Sequence, residues 1–143
     1  MNIKGKNIEL REFTLNNLND QNYFKWLRDK DVINTIGRIE YLTNLKFENV
    51  EKYVSELIDS NENCLFAIYT NDKKFIGTVK IGHINWRTGV ADIGIMIGEK
   101  NYWGKGIAKE AILMVIDYSF NYLSLRKLTS GCASLNIPMV KVF

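Results

Sequence analysis

Three apolar segments lie close together in the middle of the chain, and they restrict the possible fold more than any other feature. They are CLFAIYT at 64–70, KFIGTVKIGHI at 74–84 and VADIGIMI at 90–97. All three are rich in aromatic and β-branched residues, which favour strands. Asn71 and Asp72 supply turn residues after the first segment, and residues 85–89 form a second short connection. Because connections this short join antiparallel neighbours, we predict an antiparallel meander of three strands.

The part before the meander predicts one strand and two helices. IELREF at 8–13 is expected to form a first strand, and Asp20 is a candidate cap for a first helix. A second helix is expected to open at Thr43 or Asn44. Apolar residues recur at helical spacing in both, which predicts one core-facing side on each helix: Tyr23, Phe24 and Leu27 in the first, and Phe47, Val50, Val54, Leu57 and Ile58 in the second.

The part after the meander predicts a helix and another strand. The helix is expected from about Gly106 to Tyr122, and KLTSGCAS at 127–134 is expected to be a fifth strand. A strand, a crossover helix and a strand in one sheet form a βαβ unit, so 90–97 and 127–134 should be parallel. Asn136 and Pro138 predict the entry to a further helix, since proline is well tolerated in a first turn.

Composition narrows the class of protein. With 143 residues the chain is expected to form one domain, 1–143, and 46% hydrophobic content is ordinary globular usage. No apolar run has the length of a membrane span, and the first ten residues lack the apolar centre of a signal peptide, so no membrane partner is expected. One histidine excludes a multi-histidine metal site, and we expect no metal. Cys64 and Cys132 form no spaced pattern, which favours reduced thiols in a cytoplasmic protein.

Charge is distributed unevenly between the two halves of the chain. The net charge is +3 overall, but residues 1–72 carry nine Lys/Arg against twelve Asp/Glu, whereas residues 73–143 carry ten against four. A basic second half suits a ligand that carries phosphates. Nucleic acid is not expected, because the chain has neither a dense Lys/Arg run nor an RNA-binding aromatic signature.

A glycine-rich loop between a strand and a helix is the segment that most strongly indicates a ligand-binding site. In Trp103-Gly104-Lys105-Gly106-Ile107-Ala108, the glycines allow close approach of a ligand to the backbone. The helix that follows has unpaired N–H groups and a partial positive charge at its start. Together they predict a pyrophosphate-binding turn. The chain has no P-loop motif, and Lys109 stands where a dinucleotide fold needs its third small residue.

At these residues the sequence resembles the GNAT N-acetyltransferase superfamily, in the branch of ribosomal-protein, spermidine and nucleotide-aminosugar acetyltransferases. Gly106-Ile107-Ala108 matches the second half of the family signature [QR]-x-x-G-x-[GA], and Trp103 replaces the expected Gln or Arg. LREF, FKWLRD, ADIGIMIG, YWGKGIAKEA and the Asn136 segment follow in the expected order. The resemblance implies an α/β fold: a mixed sheet, mostly antiparallel with a central parallel splay, and helices on both faces.

The resemblance also implies that acetyl-CoA is the cofactor and that a primary amine is the acceptor. The loop N–H groups from Gly104 to Ala108 would hold the pyrophosphate. Backbone groups of the strand before the loop would pair with the pantetheine arm, which maps to Ile95, Met96 and Ile97. Asn136 would contact the same arm. The role of Lys105 stays open between phosphate binding and a solvated charge.

Two titratable residues on neighbouring strands are candidates for catalysis. Acetyl transfer needs a base that takes a proton from the acceptor ammonium, because only the neutral amine is a nucleophile. Asp92 is the first candidate, acting directly or through water, and an exposed strand-end carboxylate is the alternative. His83 is the second, as a base or an acceptor contact, and a structural role is its alternative. Trp86 and Tyr41 could line the acceptor cleft or simply pack.

The end of the chain departs from the family pattern. Members usually continue into two more strands after a tyrosine that protonates the CoA thiolate, and Phe143 stands near that tyrosine's position. We therefore expect an acetyltransferase domain that is incomplete at its C-terminus, weak activity of this form, and a homodimer in which a partner covers the fifth strand. A small-molecule acceptor such as an aminosugar or polyamine is favoured. An N-terminal protein acetyltransferase and a non-catalytic CoA-binding domain are the alternatives.

Overall fold

The computed structural model describes residues 2–36 and 45–130, and these residues form one six-stranded sheet. The strands lie in sequence order: β1 (Asn2–Lys4), β2 (Ile8–Glu12), β3 (Cys64–Thr70), β4 (Phe75–Asn85), β5 (Val90–Ile97) and β6 (Lys127–Ser130). Pairs from β1–β2 to β4–β5 are antiparallel, and β5 pairs with β6 in parallel. The predicted meander and the predicted parallel pair are both confirmed.

Five α-helices are described, together with a short 3-10 helix at Lys100–Tyr102: α1 (Leu15–Leu18), α2 (Gln21–Leu27), α3 (Lys30–Ile36), α4 (Phe47–Asp59) and α5 (Ile107–Asn121). Asp20 caps α2 as predicted, since its carboxylate accepts a hydrogen bond from the Asn22 N–H at 2.8 Å. The predicted start of the second helix is wrong by about three residues. Lys46 has an extended backbone, so α4 begins only at Phe47. Thr43 and Asn44 lie outside the described residues.

The sheet has a helical layer on each face, which confirms the predicted fold class. The α5 face packs Ile107, Ala111 and Val115 of α5 against alternate strand residues such as Phe66 and Ile68. The α4 face carries α1 to α4 and packs them on the intervening strand residues. Its buried members are Phe13, Leu18, Tyr23, Trp26, Leu27, Val32, Ile33, Val50, Val54, Ala67, Phe75 and Met96. This alternation follows the period of two in a strand.

The parallel pair lies at the end of β5 where the chain enters from the hairpin. Its register runs from Val90 opposite Lys127 to Ile93 opposite Ser130. Ser130 is the last described residue, so the remainder of the predicted strand 127–134 and the predicted splay beyond Ile93 lie outside the described residues. Among residues 2–36 and 45–130, no helix combines the length and apolarity needed to cross a membrane.

Candidate active site

The loop between β5 and α5 has the backbone of an anion-binding turn. Gly104 and Gly106 both have left-handed backbones, with φ of +74° and +78°. Gly106 directly precedes the first residue of α5, Ile107. A Cβ atom added at either glycine would meet no heavy atom within 4 Å. The glycines therefore border open space, which a ligand can enter.

Six consecutive backbone N–H groups at this loop, from Gly104 to Lys109, have no hydrogen-bond acceptor within the described part of the chain. The first internal bond at the start of α5 is donated by Glu110 to the Gly106 carbonyl at 3.0 Å. Unpaired amides at a helix start attract an anion, and the helix dipole adds to that attraction. Their number and the open space beside the glycines fit a bound anion as large as a pyrophosphate.

Trp103 anchors this loop to the strand before it. Its indole N–H donates to the Ile97 carbonyl at 2.8 Å, and 37% of the residue is exposed. The residue that departs from the family signature thus makes a specific contact at the loop. Sequence reasoning assigned it no such bond.

Two lysines approach one tyrosine beside the same loop. The ammonium groups of Lys74 and Lys105 lie 5.7 and 5.5 Å from the centre of the Tyr102 ring. Both lysines are exposed, and neither has a carboxylate within 4 Å among the described residues. The arrangement places two cations where phosphates of a bound ligand could reach them.

The three predicted arm-binding residues of β5 do not present equivalent groups. The Ile97 carbonyl points away from β4, where Trp103 bonds to it, and Ile95 points to the same side because backbone groups alternate along a strand. The Met96 carbonyl lies instead against Gly77 of β4. The Met96 side chain is 6% exposed and packs in the core of the α4 face. Ile95 is therefore the predicted residue whose backbone faces away from β4 without a bond from Trp103.

The two candidate catalytic residues are in contact. Nδ1 of His83 lies 2.9 Å from Oδ2 of Asp92. The pair is accessible, since 79% of the His83 side chain and 43% of the Asp92 side chain are exposed. An imidazole held by a carboxylate in this way keeps its other nitrogen available for a proton. The structure thus joins two residues that the sequence could name only separately.

A bulge in β4 makes this contact possible. The register between β4 and β5 shifts between Gly82 and Asn85, and His83 has a left-handed backbone with φ of +50°. The His83 N–H donates to Oδ1 of Asn63 at 3.3 Å. Gly82 faces Asp92 in the ladder, and a Cβ at Gly82 would lie only 2.8 Å from Oδ1 of Asp92. A glycine at this position therefore leaves the room that the carboxylate occupies.

The surface beside the His83–Asp92 pair carries Lys80 and an open space at Gly94, and neither was recognised from the sequence. Lys80 lies directly opposite Gly94 in the β4–β5 ladder, and its ammonium lies 3.4 Å from the Tyr53 hydroxyl of α4. Gly94 is exposed, and a Cβ added there would meet nothing within 4 Å. The available signal was a single lysine inside the otherwise apolar strand FIGTVKIGHI.

Helices α2 and α3 are fastened to the start of the loop. The Trp26 ring occupies the space beside Gly98, where a Cβ would lie 1.9 Å from it, and the Trp26 indole N–H donates to Glu99 at 3.3 Å. Lys100 pairs with Asp29 at 3.0 Å and with Asp31 at 2.6 Å. Partial burial favours the neutral Asp29 carboxyl, but hydrogen bonds from Lys100 and from backbone N–H groups outweigh it and hold its pKa below the ordinary value. The same carboxylates raise the pKa of Lys100.

Cys64 lies away from these groups, in a pocket of about 200 Å³ that Glu12 and Tyr118 also line. Burial, and secondly the Glu12 carboxylate, raises the pKa of its thiol. A raised thiol pKa disfavours a nucleophilic cysteine. Cys64 is instead half-buried and packs against the core of the α5 face.

The other predicted residues have mixed outcomes. Trp86 is 50% exposed and its indole N–H donates to the Asn61 carbonyl at 2.9 Å, so it packs on the hairpin surface. Asn136, Tyr41, Cys132 and Phe143 lie outside the described residues. In the part of the chain that is described, no cluster of three or more histidine, cysteine, aspartate or glutamate residues could hold a metal ion.

Comparison with known proteins gives consistent matches. Residues 7–143 match the family model described as the acetyltransferase (GNAT) domain. The chain is 33% identical to the uncharacterized N-acetyltransferase p20 of Bacillus licheniformis over 85 residues, which are 59% of this chain and 47% of p20. It is 28% identical to the probable N-acetyltransferase YjcK of Bacillus subtilis (strain 168), over 98% of this chain and 79% of YjcK.

The fold is also similar to solved structures. Spermidine N-acetyltransferase from Vibrio cholerae, in complex with CoA and spermine, superimposes with a TM-score of 0.81 at 23% identity, over 96% of this chain and 78% of that one. A dodecameric structure of that enzyme has a TM-score of 0.73 over 96% of this chain and 77% of that one, also at 23% identity. These superpositions agree with the fold that the resemblance implied.

Proposed function

Because the chain belongs to the GNAT acetyltransferase family, we propose that it transfers the acetyl group of acetyl-CoA to the primary amine of a small molecule. The family confirms the predicted N-acetyltransferase class and, with it, the acetyl-CoA cofactor. The observation that carries the proposal for this chain is the run of six amides from Gly104 to Lys109 that have no acceptor among residues 2–36 and 45–130, beside two left-handed glycines. The acceptor and the residue roles that follow are part of the proposal.

The loop would hold the cofactor's pyrophosphate, and β5 would guide the rest of the molecule. Amides from Gly104 to Ala108 face the phosphates, and Lys105 and Lys74 add positive charge nearby. Ile97 is five positions after Asp92, a distance of ~17 Å along an extended strand. A ligand arm that leaves the loop along β5 therefore passes Ile95 and approaches Gly94. Bound acetyl-CoA supplies the acetyl group as a thioester.

His83 and Asp92 would prepare the acceptor amine. The Asp92 carboxylate accepts a hydrogen bond from Nδ1–H of His83, which fixes the tautomer in which Nε2 carries the lone pair. Nε2 then takes the proton from the acceptor ammonium, so that the amine becomes a nucleophile. His83 is thus the proposed base, and Asp92, first candidate on sequence grounds, is the residue that orients it.

Kinetics of paired variants test this assignment. Acetyl transfer is followed by release of the CoA thiol with a panel of amines. His83→Ala and Asp92→Asn are each expected to lower kcat by ~10²-fold, the usual size of a general-base contribution, with little effect on CoA binding. The double variant should lose no more than the single ones, because the two residues act as one unit. Arg87→Gln, an exposed change in the same hairpin, is the control.

Two results would contradict the proposal. Ordinary turnover in both single variants would remove His83 and Asp92 from the mechanism. Tight CoA binding with no acetylation of any amine would favour a non-catalytic CoA-binding domain instead.

A homodimer stays a prediction: the dodecameric neighbour supports self-association without fixing the number of subunits. A cytoplasmic location also stays a prediction.

A further inference from the structure

Lys80 occupies an unusual place for a surface lysine. Its ladder partners are Leu65 on β3 and Gly94 on β5, so its side chain lies on the α4 face of the sheet. Asp92 lies on that same face, two residues before Gly94. Diagonal neighbours of this kind are ~7–8 Å apart. A cation and the proposed proton-accepting pair therefore border one patch of open surface above Gly94.

The Lys80 ammonium forms no salt bridge with the residues that the structure describes. The Tyr53 hydroxyl lies 3.4 Å from Nζ, and within residues 2–36 and 45–130 no carboxylate lies within 4 Å of it. The space above Gly82 is bounded by Oδ1 of Asp92 and by Cε of Lys80, which directs the lysine stem along this surface. Lys80 is thus held beside the pair without a salt bridge to any carboxylate in the described part of the chain.

We propose that Lys80 selects an acceptor that carries an anionic oxygen group, a carboxylate or a phosphate, a few bonds from its primary amine. This inference rests on the proposed function, since it places the amine at His83 and Asp92. The anionic group then lies against Lys80 and Tyr53, where a charge-assisted hydrogen bond fixes the acceptor's orientation. A polyamine would bring a second ammonium toward Lys80 and be repelled. The acceptor class therefore differs from that of the spermidine acetyltransferase whose fold is shared.

Matched acceptors test the inference. The specificity ratio is kcat/KM for O-phosphoethanolamine over that for ethanolamine, and β-alanine over β-alaninamide is the carboxylate counterpart. At least one ratio is expected to exceed ~10, which is at the low end of what one hydrogen bond to a charged group contributes. The pair with the larger ratio identifies the anion as phosphate or carboxylate. Spermidine should be a poorer substrate than the better anionic amine.

Variants of the lysine separate its charge from its bulk. Lys80→Gln should lower the larger ratio by ~10-fold, mainly through KM, whereas Lys80→Arg should retain it. Lys6→Gln, an equal loss of charge on a remote exposed residue, should leave the ratio at the wild-type value. Ratios near one in the wild type, or an unchanged ratio in Lys80→Gln, would overturn the inference while acetyl transfer itself stands.

A binding measurement tests the role of Lys80 even in the case where no amine is acetylated. If no amine is acetylated, the proposed function fails, and calorimetric titration of CoA-saturated protein with O-phosphoethanolamine and with β-alanine still tests Lys80. Loss of binding in Lys80→Gln would support the anionic subsite. No binding of either amine to the wild type, or equal binding to both proteins, would refute it.

Discussion

Replacing Gly106 by alanine separates the cost of a strained backbone from the loss of a ligand contact. A residue with a Cβ in the left-handed region costs ~1–2 kcal/mol. Since nothing lies within 4 Å of that Cβ, steric overlap adds no further cost in the free protein. The variant should unfold with a free energy ~1–2 kcal/mol below that of wild type, which lowers Tm by roughly 3–7 °C in a chain of this size.

The effect on CoA should be larger than the effect on stability. The backbone strain is present with and without ligand, so it cancels in the binding free energy. The added methyl group enters the open space proposed for the pyrophosphate and displaces it from at least two amides. Each such charged hydrogen bond is worth ~1.5–3 kcal/mol, so CoA affinity should fall by ~10²-fold or more.

Gly89→Ala is the matched control. Gly89 also has a left-handed backbone, with φ of +73°, but it lies in the β4–β5 turn away from the loop. Its Cβ would lie 2.9 Å from Cγ and 3.2 Å from Cβ of Arg126, so Gly89→Ala should lose at least as much stability as Gly106→Ala. Thermal unfolding of both variants measures that loss, and calorimetric CoA titration should show a loss of CoA affinity only in Gly106→Ala. Equal CoA affinity in the two folded variants would refute the placement of the pyrophosphate.

Two further predictions concern the fastening of α2 and α3 to the loop. The stability advantage of wild type over Lys100→Met should be present at neutral pH. This advantage should be lost as pH falls below 3.8, the ordinary pKa of Asp29, and through the lower pKa that Asp29 has in the folded protein. Urea unfolding at several pH values would measure it. Because Lys100 has a raised pKa, the advantage should persist past its ordinary pKa of 10.5 and then be lost. Gly98→Ala should cost ~1–3 kcal/mol or more because its Cβ overlaps the Trp26 ring; unchanged urea unfolding would show that the ring moves freely.

The sequence predicted the parts of the fold that have a strong local period. The meander, α5 and the cap at Asp20 all follow from residues close in sequence. Three short elements, β1, α1 and α3, were missed, because elements of three to seven residues have little or no period of their own and depend on tertiary packing. The start of α4 was misplaced because polar capping residues at 43–44 were preferred over Lys46.

The candidate site was only partly predictable. Asp92 and His83 could be named from their strands, but their contact depends on a bulge and on a left-handed backbone at a histidine. Neither has a sequence pattern that distinguishes it from an ordinary hairpin. Lys80 was not recognised because its significance lies in its register opposite Gly94, which only strand pairing defines.

The bond from the Trp103 indole to the Ile97 carbonyl has a consequence for the spacing of any ligand at this strand. An arm that adds to β5 as a short extra strand needs backbone groups that face away from β4. The indole already occupies the carbonyl nearest the loop. The next residue whose backbone faces the same way is Ile95, two positions and ~7 Å further back. If an arm binds there as proposed, we expect Trp103 to set a minimum distance between the phosphates and the first amide of the arm, so that arms with a shorter spacing bind less well.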